Sequence, residues 1–299
     1  MKTKAVRIYG ENDLRLEEFE LPVLKDDEVL LKVISDSVCM SSYKAAIQGA
    51  KHKRIPNDVA ENPTIIGHEF CGEIVEVGSV WADKYKKGER VSIQPALNDP
   101  SDIYKAVGYS FKYIGGDATY VIVPREVIDF GCLLKYTGDA FFYGSLSEPM
   151  ACNIGGAHTS YHTVPGKYVH EMGIKMGGKM AILAGAGPMG LGAIDYAIHC
   201  DRHPSMLVIT DVDDTRLARA AKIYSPEDAK KFGVDLHYVN TGKCDDPVKA
   251  LRDLTDGKGF DDVFVYAPVK PVVEQASAIL GHDGCLNFFA GPTNTAFSA

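Results

Sequence analysis

The chain has 299 residues, 45% of them hydrophobic and 24% charged, and a formal net charge of -8. That length exceeds what one core usually supports and predicts two domains, while the negative balance offers no general field for nucleic acid or an anionic membrane. The start, Met1-Lys-Thr-Lys-Ala-Val-Arg7, has no apolar signal core and no run approaches the ~20 apolar residues that cross a bilayer, so the chain reads as soluble and cytoplasmic.

The first half is rich in strands and turns. Lys4 to Tyr9, Glu28 to Ile34, Gly72 to Val77, Arg90 to Ile93 and Thr119 to Val123 are short β-branched or aromatic runs fenced by Gly, Pro, Asn or Asp. They predict antiparallel strands of a small sheet or barrel, with Gly78 and Gly88 at turns. Among them stand Cys39, the pair His68-Glu69 and, further on, Glu148. A soft thiolate, a neutral imidazole and a hard carboxylate suit a catalytic zinc, which takes about three protein ligands and keeps one position open. Singly, each has an ordinary alternative: Cys39 a small buried hydrophobe, His68 a loop histidine, Glu69 a solvated charge, Glu148 a charge at a helix start. Spacing alone leaves these open.

The seven cysteines, Cys39, Cys71, Cys132, Cys152, Cys200, Cys244 and Cys285, are odd in number, scattered and without a CxxC pair. That argues against a disulfide framework and a four-cysteine zinc site. Lys44, Lys51, His52, Lys53 and Arg54 form a basic cluster in an acidic chain. It reads either as a solvated surface run or, folded over a cleft, as a phosphate site. Tyr43 and Tyr113 are candidates to pack on a polyol or in the core. His158 and His162 stand at helical spacing, which suggests local hydrogen bonding more than a second metal.

Residues 155 to 176 read as a connector. From Gly177 the rhythm becomes strand, helix, strand: Lys179 to Ala184, then Leu191 to Ile198 with apolar residues at helical spacing, then strands at Met206 to Thr210, Leu236 to Val239, Asp262 to Tyr266 and Cys285 to Phe289, with helices at Thr215 to Ile223, Val248 to Leu254 and Val272 to Leu280. Near-continuous apolar strands in such an order predict a parallel sheet covered on both faces. Between the first strand and helix lies Gly185-Ala-Gly187-Pro188-Met189-Gly190. Gly185 permits the tight turn, Gly187 the approach of a pyrophosphate, and Gly190 close helix packing. Asp211, ending the second strand, is placed for the adenine ribose and disfavours a 2′-phosphate, so NAD(H) is favoured; Arg216, able to reach the same ribose, keeps NADP(H) possible.

Pro63-Thr-Ile-Ile-Gly67-His68-Glu69-Phe-Cys-Gly72-Glu-Ile-Val-Glu-Val-Gly78, Gly88-Glu-Arg-Val91, Ser147-Glu148-Pro149 and the glycine turn together resemble the zinc-dependent medium-chain dehydrogenase/reductase family in its sorbitol dehydrogenase-like branch. Cys39-Met-Ser-Ser-Tyr-Lys44 and Ser147-Glu-Pro-Met-Ala-Cys152 resemble most the members that reduce ketose 1-phosphates such as sorbose 1-phosphate. The resemblance implies an α/β chain with a β-rich, GroES-like catalytic domain (residues 1–154) and a doubly wound, parallel Rossmann domain binding NAD (residues 155–299). It implies Cys39 and His68 as zinc ligands, Glu69 and Glu148 alternating as carboxylate ligands, Ser41 as proton relay and Lys44 as its outer terminus, and reversible hydride transfer between nicotinamide and a polyol or sugar phosphate. Gln94 to Tyr120 lacks the cysteines with which many relatives bind a second zinc, so one catalytic and no structural zinc is expected. The resemblance also implies an incomplete Rossmann domain, lacking its last strand and C-terminal catalytic segment, and homo-oligomers for full-length members that this fragment need not form. The competing expectations are a zinc-free reductase of the same superfamily and a truncated cofactor-binding protein without turnover.

Overall fold

Alternation of apolar and polar side chains sets which face of each early strand is buried, and so where the first core forms. The computed structural model describes residues 1–291. The chain divides into two units, Met1–Glu148 and the residues from Pro149 onward. In the first, β1 (Lys2–Gly10) and β2 (Asp13–Glu20) form an antiparallel hairpin, and β1 also pairs with β4 (Thr64–Ile65). A five-stranded antiparallel sheet runs β7 (Tyr120–Val123), β3 (Val29–Asp36), β5 (Phe70–Val77), β6 (Arg90–Ile93) and β8 (Leu133–Lys135).

Leu31 stands opposite Ile74 on one side and Val121 on the other, and these join Val29, Phe70, Val91 and Ile93 in a core closed to solvent. Each such side chain contributes about 1.5–3 kcal/mol by leaving water. Short helices α1 (Met40–Gln48), α2 (Arg125–Asp129) and α3 (Phe141–Ser145) border the sheet, and α4 (Ser147–Thr159) begins at the end of the unit. The register of β3 on β5 slips twice, the second time between Val33 and Ser35. Such bulges bend a strand, and this one lies just before the residues that carry chemistry.

In the second unit a two-stranded hairpin, β9 (Tyr161–Thr163) and β10 (His170–Met172), precedes a parallel sheet of β11 (Lys179–Leu183), β12 (Met206–Asp211), β13 (Asp235–Asn240), β14 (Phe260–Val265) and β15 (Leu280–Asn287). The order is β13-β12-β11-β14-β15. Alternate residues feed opposite faces. Ile182, Leu207, Ile209 and Phe264 pack with Ala193, Ile194 and Ala197 of α5 (Pro188–His199) and Leu217 and Ala220 of α6 (Asp214–Ile223). Ala181, Leu183, Val208, Val263 and Val265 meet Leu251 of α8 (Pro247–Asp253) and Ala276 and Ile279 of α9 (Lys270–Ile279); α7 (Pro226–Lys231) precedes β13. This is the doubly wound α/β sheet expected, and its order reverses between β11 and β14, where such sheets bind ligands.

The supposed connector over residues 155 to 176 needs correction, since it holds the second half of α4 and the β9–β10 hairpin. His158 and His162 do not share a helix: His158 ends α4 against the Tyr196 hydroxyl (3.0 Å), and His162, in β9, faces Asp262 (3.2 Å). Among the described residues no helix is long and apolar enough to cross a membrane.

Candidate active site

Two loops of the first unit are sewn together by backbone. After β3 the Ser37 amide donates to the Glu69 carbonyl (3.1 Å), and the Glu69 amide donates to Asp36 Oδ1 (3.2 Å). Gly67 (φ 90°) and Gly116 make room for Asp36: a Cβ on either would fall 2.3 or 2.0 Å from its Oδ2. Burial, with Asp117 nearby, raises the Asp36 pKa to about 8. Its Oδ2 has no hydrogen-bond partner, a lack that costs a neutral carboxyl less than a charged one.

This stitching brings Cys39, the residue before α1, beside the His68-Glu69 pair. One ligand atom from each of Cys39, His68 and Glu69 lies within 4.8 Å of the others. His68 and Glu69 are each only 4% exposed, so water does little to keep their polar atoms solvated. Burial and then the Arg54 charge push the His68 pKa down to about 4, leaving a neutral imidazole at pH 7, the form that binds metal. The Cys39 thiol is pushed up by burial and further by Glu69, with Ser41 opposing. A divalent cation would reverse that penalty by binding the thiolate. Sulfur, imidazole and carboxylate brought together in a mostly buried cluster are a donor set that fits zinc, which in catalytic sites takes about three protein ligands and keeps one position open.

Hydroxyls surround the set. Ser41 Oγ lies 2.9 Å from Cys39 Sγ and 3.3 Å from His68 Nε2, and it accepts the Tyr109 hydroxyl proton at 2.7 Å. Ser42 Oγ is 3.4 Å from His68 Nδ1, and the Ser37 hydroxyl donates to Glu69. Burial raises the Tyr109 pKa to about 12, which keeps it a donor. Its ring lies 4.9 Å from that of His68 and stacks on His52 at 5.6 Å, with the Arg54 guanidinium 5.3 Å from its centre.

In the second unit the three glycines of the turn differ in the room they leave, and the one residue of the turn with positive φ is Ala184 (φ 53°). A Cβ on Gly190 would fall 1.9 Å from the Gly185 carbonyl oxygen and one on Gly185 2.5 Å from Ile182, whereas one on Gly187 would meet nothing within 4 Å. Gly187 precedes α5, with Pro188 and Met189 in its first turn. Asp211 closes the back of the turn: its Oδ2 accepts from the Ala186 amide (3.3 Å), its Oδ1 from Val212 (2.8 Å) and Asp213 (3.2 Å). Arg216, in the first turn of α6, is mostly exposed and 3.8 Å from Asp213. The Asn153 amide donates to the Met189 carbonyl (3.0 Å) while its oxygen accepts from Tyr266 (2.7 Å), so α4 braces the turn.

Of the residues singled out from sequence, Cys39, Ser41, His68 and Glu69 come together. Glu148, half-buried in the first turn of α4, does not join the set within 4.8 Å, though its charge reaches Tyr109. Lys44 lies in α1, with its charge felt at His52. Lys51 is drawn off by Glu11 at 2.6 Å. Tyr43 is 57% exposed. Tyr109, Asp36 and Asn153 carried no sequence signal, because each acts through a partner distant in the chain.

Residues 25–130 match the alcohol dehydrogenase GroES-like domain, and residues 188–299 match the zinc-binding dehydrogenase family. The chain is 53% identical to mannitol-1-phosphate 5-dehydrogenase of Aliivibrio fischeri, over 99% of this chain and 70% of that protein. It is 49% identical to L-sorbose 1-phosphate reductase of Klebsiella pneumoniae, over 99% of this chain and 71% of that protein. Among solved structures, 2R,3R-butanediol dehydrogenase from Bacillus subtilis aligns with a TM-score of 0.71 at 25% identity, covering 95% of this chain and 76% of that one.

Proposed function

The chain belongs to the zinc-binding dehydrogenases that carry an alcohol dehydrogenase GroES-like domain, and from that premise we propose that it interconverts a secondary alcohol and a ketone of a sugar phosphate, using one zinc and NAD(H). The observation that carries the reading is the buried Cys39, His68 and Glu69 set. The names of the two sugar-phosphate relatives support the substrate class. When bound, zinc supplies Lewis acidity to polarise the carbonyl, and nicotinamide gives or takes the hydride.

The chain's own residues do the rest. Cys39 and Glu69 would hold the metal as anions and His68 as a neutral imidazole, so the loaded site would be close to electroneutral. Glu69, already beside the thiol, is the resting carboxylate, and Glu148 is a second acid at the margin. In the reducing direction the Tyr109 hydroxyl donates to Ser41, which directs Ser41's own proton to the oxygen of the forming alcohol, Tyr109 being reprotonated from solvent; the Tyr109 ring also walls the imidazole. Gly187 leaves the turn open to pyrophosphate at the start of α5. Asp211, ending β12, favours a ribose without 2′-phosphate, which supports NAD over NADP. Gln94 to Tyr120 carries no cysteine, which supports a single zinc.

The test is zinc content together with NADH and NADPH oxidation on a panel of ketoses, ketose phosphates and polyols. About one tightly bound zinc per chain and NADH-linked reduction of a phosphorylated ketose are expected. A protein that turns over the same ketose without zinc would instead be a metal-free reductase.

A further inference from the structure

The sequence put five basic residues between Lys44 and Arg54, and the structure separates them. Lys51 leaves the cluster for Glu11. Arg54 lies half-buried with its guanidinium against the Tyr109 ring at 5.3 Å, and the Lys53 ammonium sits 4.9 Å from the Tyr104 ring centre. Among the described residues no carboxylate pairs with either cation, and no acceptor takes a hydrogen bond from the Arg54 guanidinium. A half-desolvated guanidinium held only by a ring face keeps its five donors available for an anion. His52, stacked on the same Tyr109, is pushed to lower pKa by burial and then by Arg54, Lys53 and Lys44, so these charges converge on one spot.

That spot adjoins the metal set. Tyr109 carries Arg54 on its ring, touches the His68 ring at 4.9 Å and donates its hydroxyl to Ser41, which sits 2.9 Å from Cys39 Sγ. One aromatic side chain therefore separates the free guanidinium from the reacting centre.

We propose that Arg54, assisted by Lys53, is the phosphate-binding subsite of this enzyme, and that it selects ketoses whose phosphate is on the carbon next to the carbonyl, the 2-ketose 1-phosphates. With the guanidinium 5.3 Å from the Tyr109 ring centre and that ring 4.9 Å from the His68 ring, the cation stands one side chain from the metal set. That suits a phosphate on the neighbouring carbon better than one at the far end of a hexose. The two sugar-phosphate relatives differ on this point: the name of one sets phosphate and reacting carbon at positions 1 and 5, that of the other joins a 1-phosphate to a ketose. The proposal rests on the sugar-phosphate reading above.

The experiment is steady-state NADH oxidation by the zinc-loaded chain with sorbose 1-phosphate, fructose 6-phosphate and unphosphorylated sorbose, comparing wild type with Arg54→Met, Arg54→Lys, Lys53→Met and Lys51→Met. Losing a charge-assisted phosphate contact should raise KM for sorbose 1-phosphate roughly 10- to 100-fold in Arg54→Met, with kcat nearly unchanged. Sorbose kinetics should not move, Arg54→Lys should recover part of the loss, Lys53→Met should show a smaller KM effect, and Lys51→Met should match wild type. Equal losses with and without phosphate would assign Arg54 to holding Tyr109 in place and overturn the proposal, as would no change at all. Wild-type preference for fructose 6-phosphate overturns the adjacency but keeps the sugar-phosphate reading. Wild-type activity on sorbose alone overturns that reading and the subsite with it. Should Arg54→Met fold poorly by circular dichroism, the exposed Lys53→Met carries the test: an unchanged KM for sorbose 1-phosphate there overturns the subsite.

Discussion

Gly190 and Gly187 sit three residues apart in one turn, yet the structure assigns them opposite consequences on substitution by alanine. At position 190 the new Cβ would lie 1.9 Å from the Gly185 carbonyl oxygen and 2.4 Å from its carbon, both backbone atoms that no rotamer change can move. Reaching ordinary contact requires the start of α5 to back away from the end of β11 by about 1.5 Å, measured against the usual ~3.5 Å between non-bonded heavy atoms. Overpacking of this kind costs about 1–3 kcal/mol, and the fixed backbone puts Gly190→Ala at the upper end. Alanine's better helix propensity returns only about 1 kcal/mol, so the net loss is about 2 kcal/mol. At Gly187 the backbone is ordinary (φ -82°, ψ 177°) and a Cβ meets nothing within 4 Å. Gly187→Ala should leave stability within about 0.5 kcal/mol but put a methyl where the pyrophosphate approaches, weakening NADH at least about tenfold. Urea unfolding followed by circular dichroism reads the first effect, and titration of NADH fluorescence the second. Wild-type stability in Gly190→Ala would refute the close helix approach. Wild-type NADH affinity in Gly187→Ala would refute this turn as the pyrophosphate site.

Three further outcomes follow from the first unit. Cys39→Ala should lose zinc by elemental analysis, and activity with it, while NADH fluorescence titrates as in wild type; retained stoichiometric zinc would remove Cys39 from the ligand set. Ser41→Ala should lower kcat by about 10²-fold, the scale of one proton-transfer group, and Tyr109→Phe, which keeps the ring, should lower it less; equal zinc content in both would exclude a metal-binding defect. Asp36 has a folded pKa raised from the ordinary carboxylate range to about 8. Its neutral form is favoured by folding, so its contribution is intact below pH 4 and is lost as pH rises toward 8. Asp36→Asn keeps an acceptor for the Ser37 and Glu69 amides and cannot ionise, so it should flatten the fall in urea stability between pH 5 and pH 8. An unchanged slope would show that Asp36 is ionised in the folded chain.

What could be read from sequence, and what could not, divides by the distance over which each feature is encoded. The glycine turn, β11, α5, β12 and Asp211 lie within a stretch of chain short enough that periodicity and backbone freedom specify them together, and the parallel sheet follows from its apolar strands. Strand β2 escaped notice because its sequence, Asp-Leu-Arg-Leu-Glu-Glu-Phe-Glu, is mostly exposed and is ordered by pairing with β1. Helix α1 escaped because only Ala45 and Ala46 are buried in it. The metal set needed a resemblance to be proposed, since Cys39 reaches His68 and Glu69 through Asp36, Ser37 and the glycines packed on them, a geometry no spacing rule expresses. Tyr109 lies further still from local pattern: it sits in no strand or helix, yet it joins Ser41, His68, His52 and Arg54. A residue whose partners all come from elsewhere in the chain is invisible to periodicity, and here that residue links the proton path, the imidazole and the unpaired guanidinium. Its substitution should therefore couple effects that the sequence presents as unrelated, and a double-mutant cycle between Tyr109→Phe and Tyr109→Ala on one side and Arg54→Met on the other should separate the hydroxyl's role from the ring's. The phenylalanine should show no coupling with Arg54 in KM for a phosphorylated ketose, because the ring that carries the guanidinium remains. The alanine should show strong coupling, and additive losses there would mean that Arg54 does not depend on the ring at all.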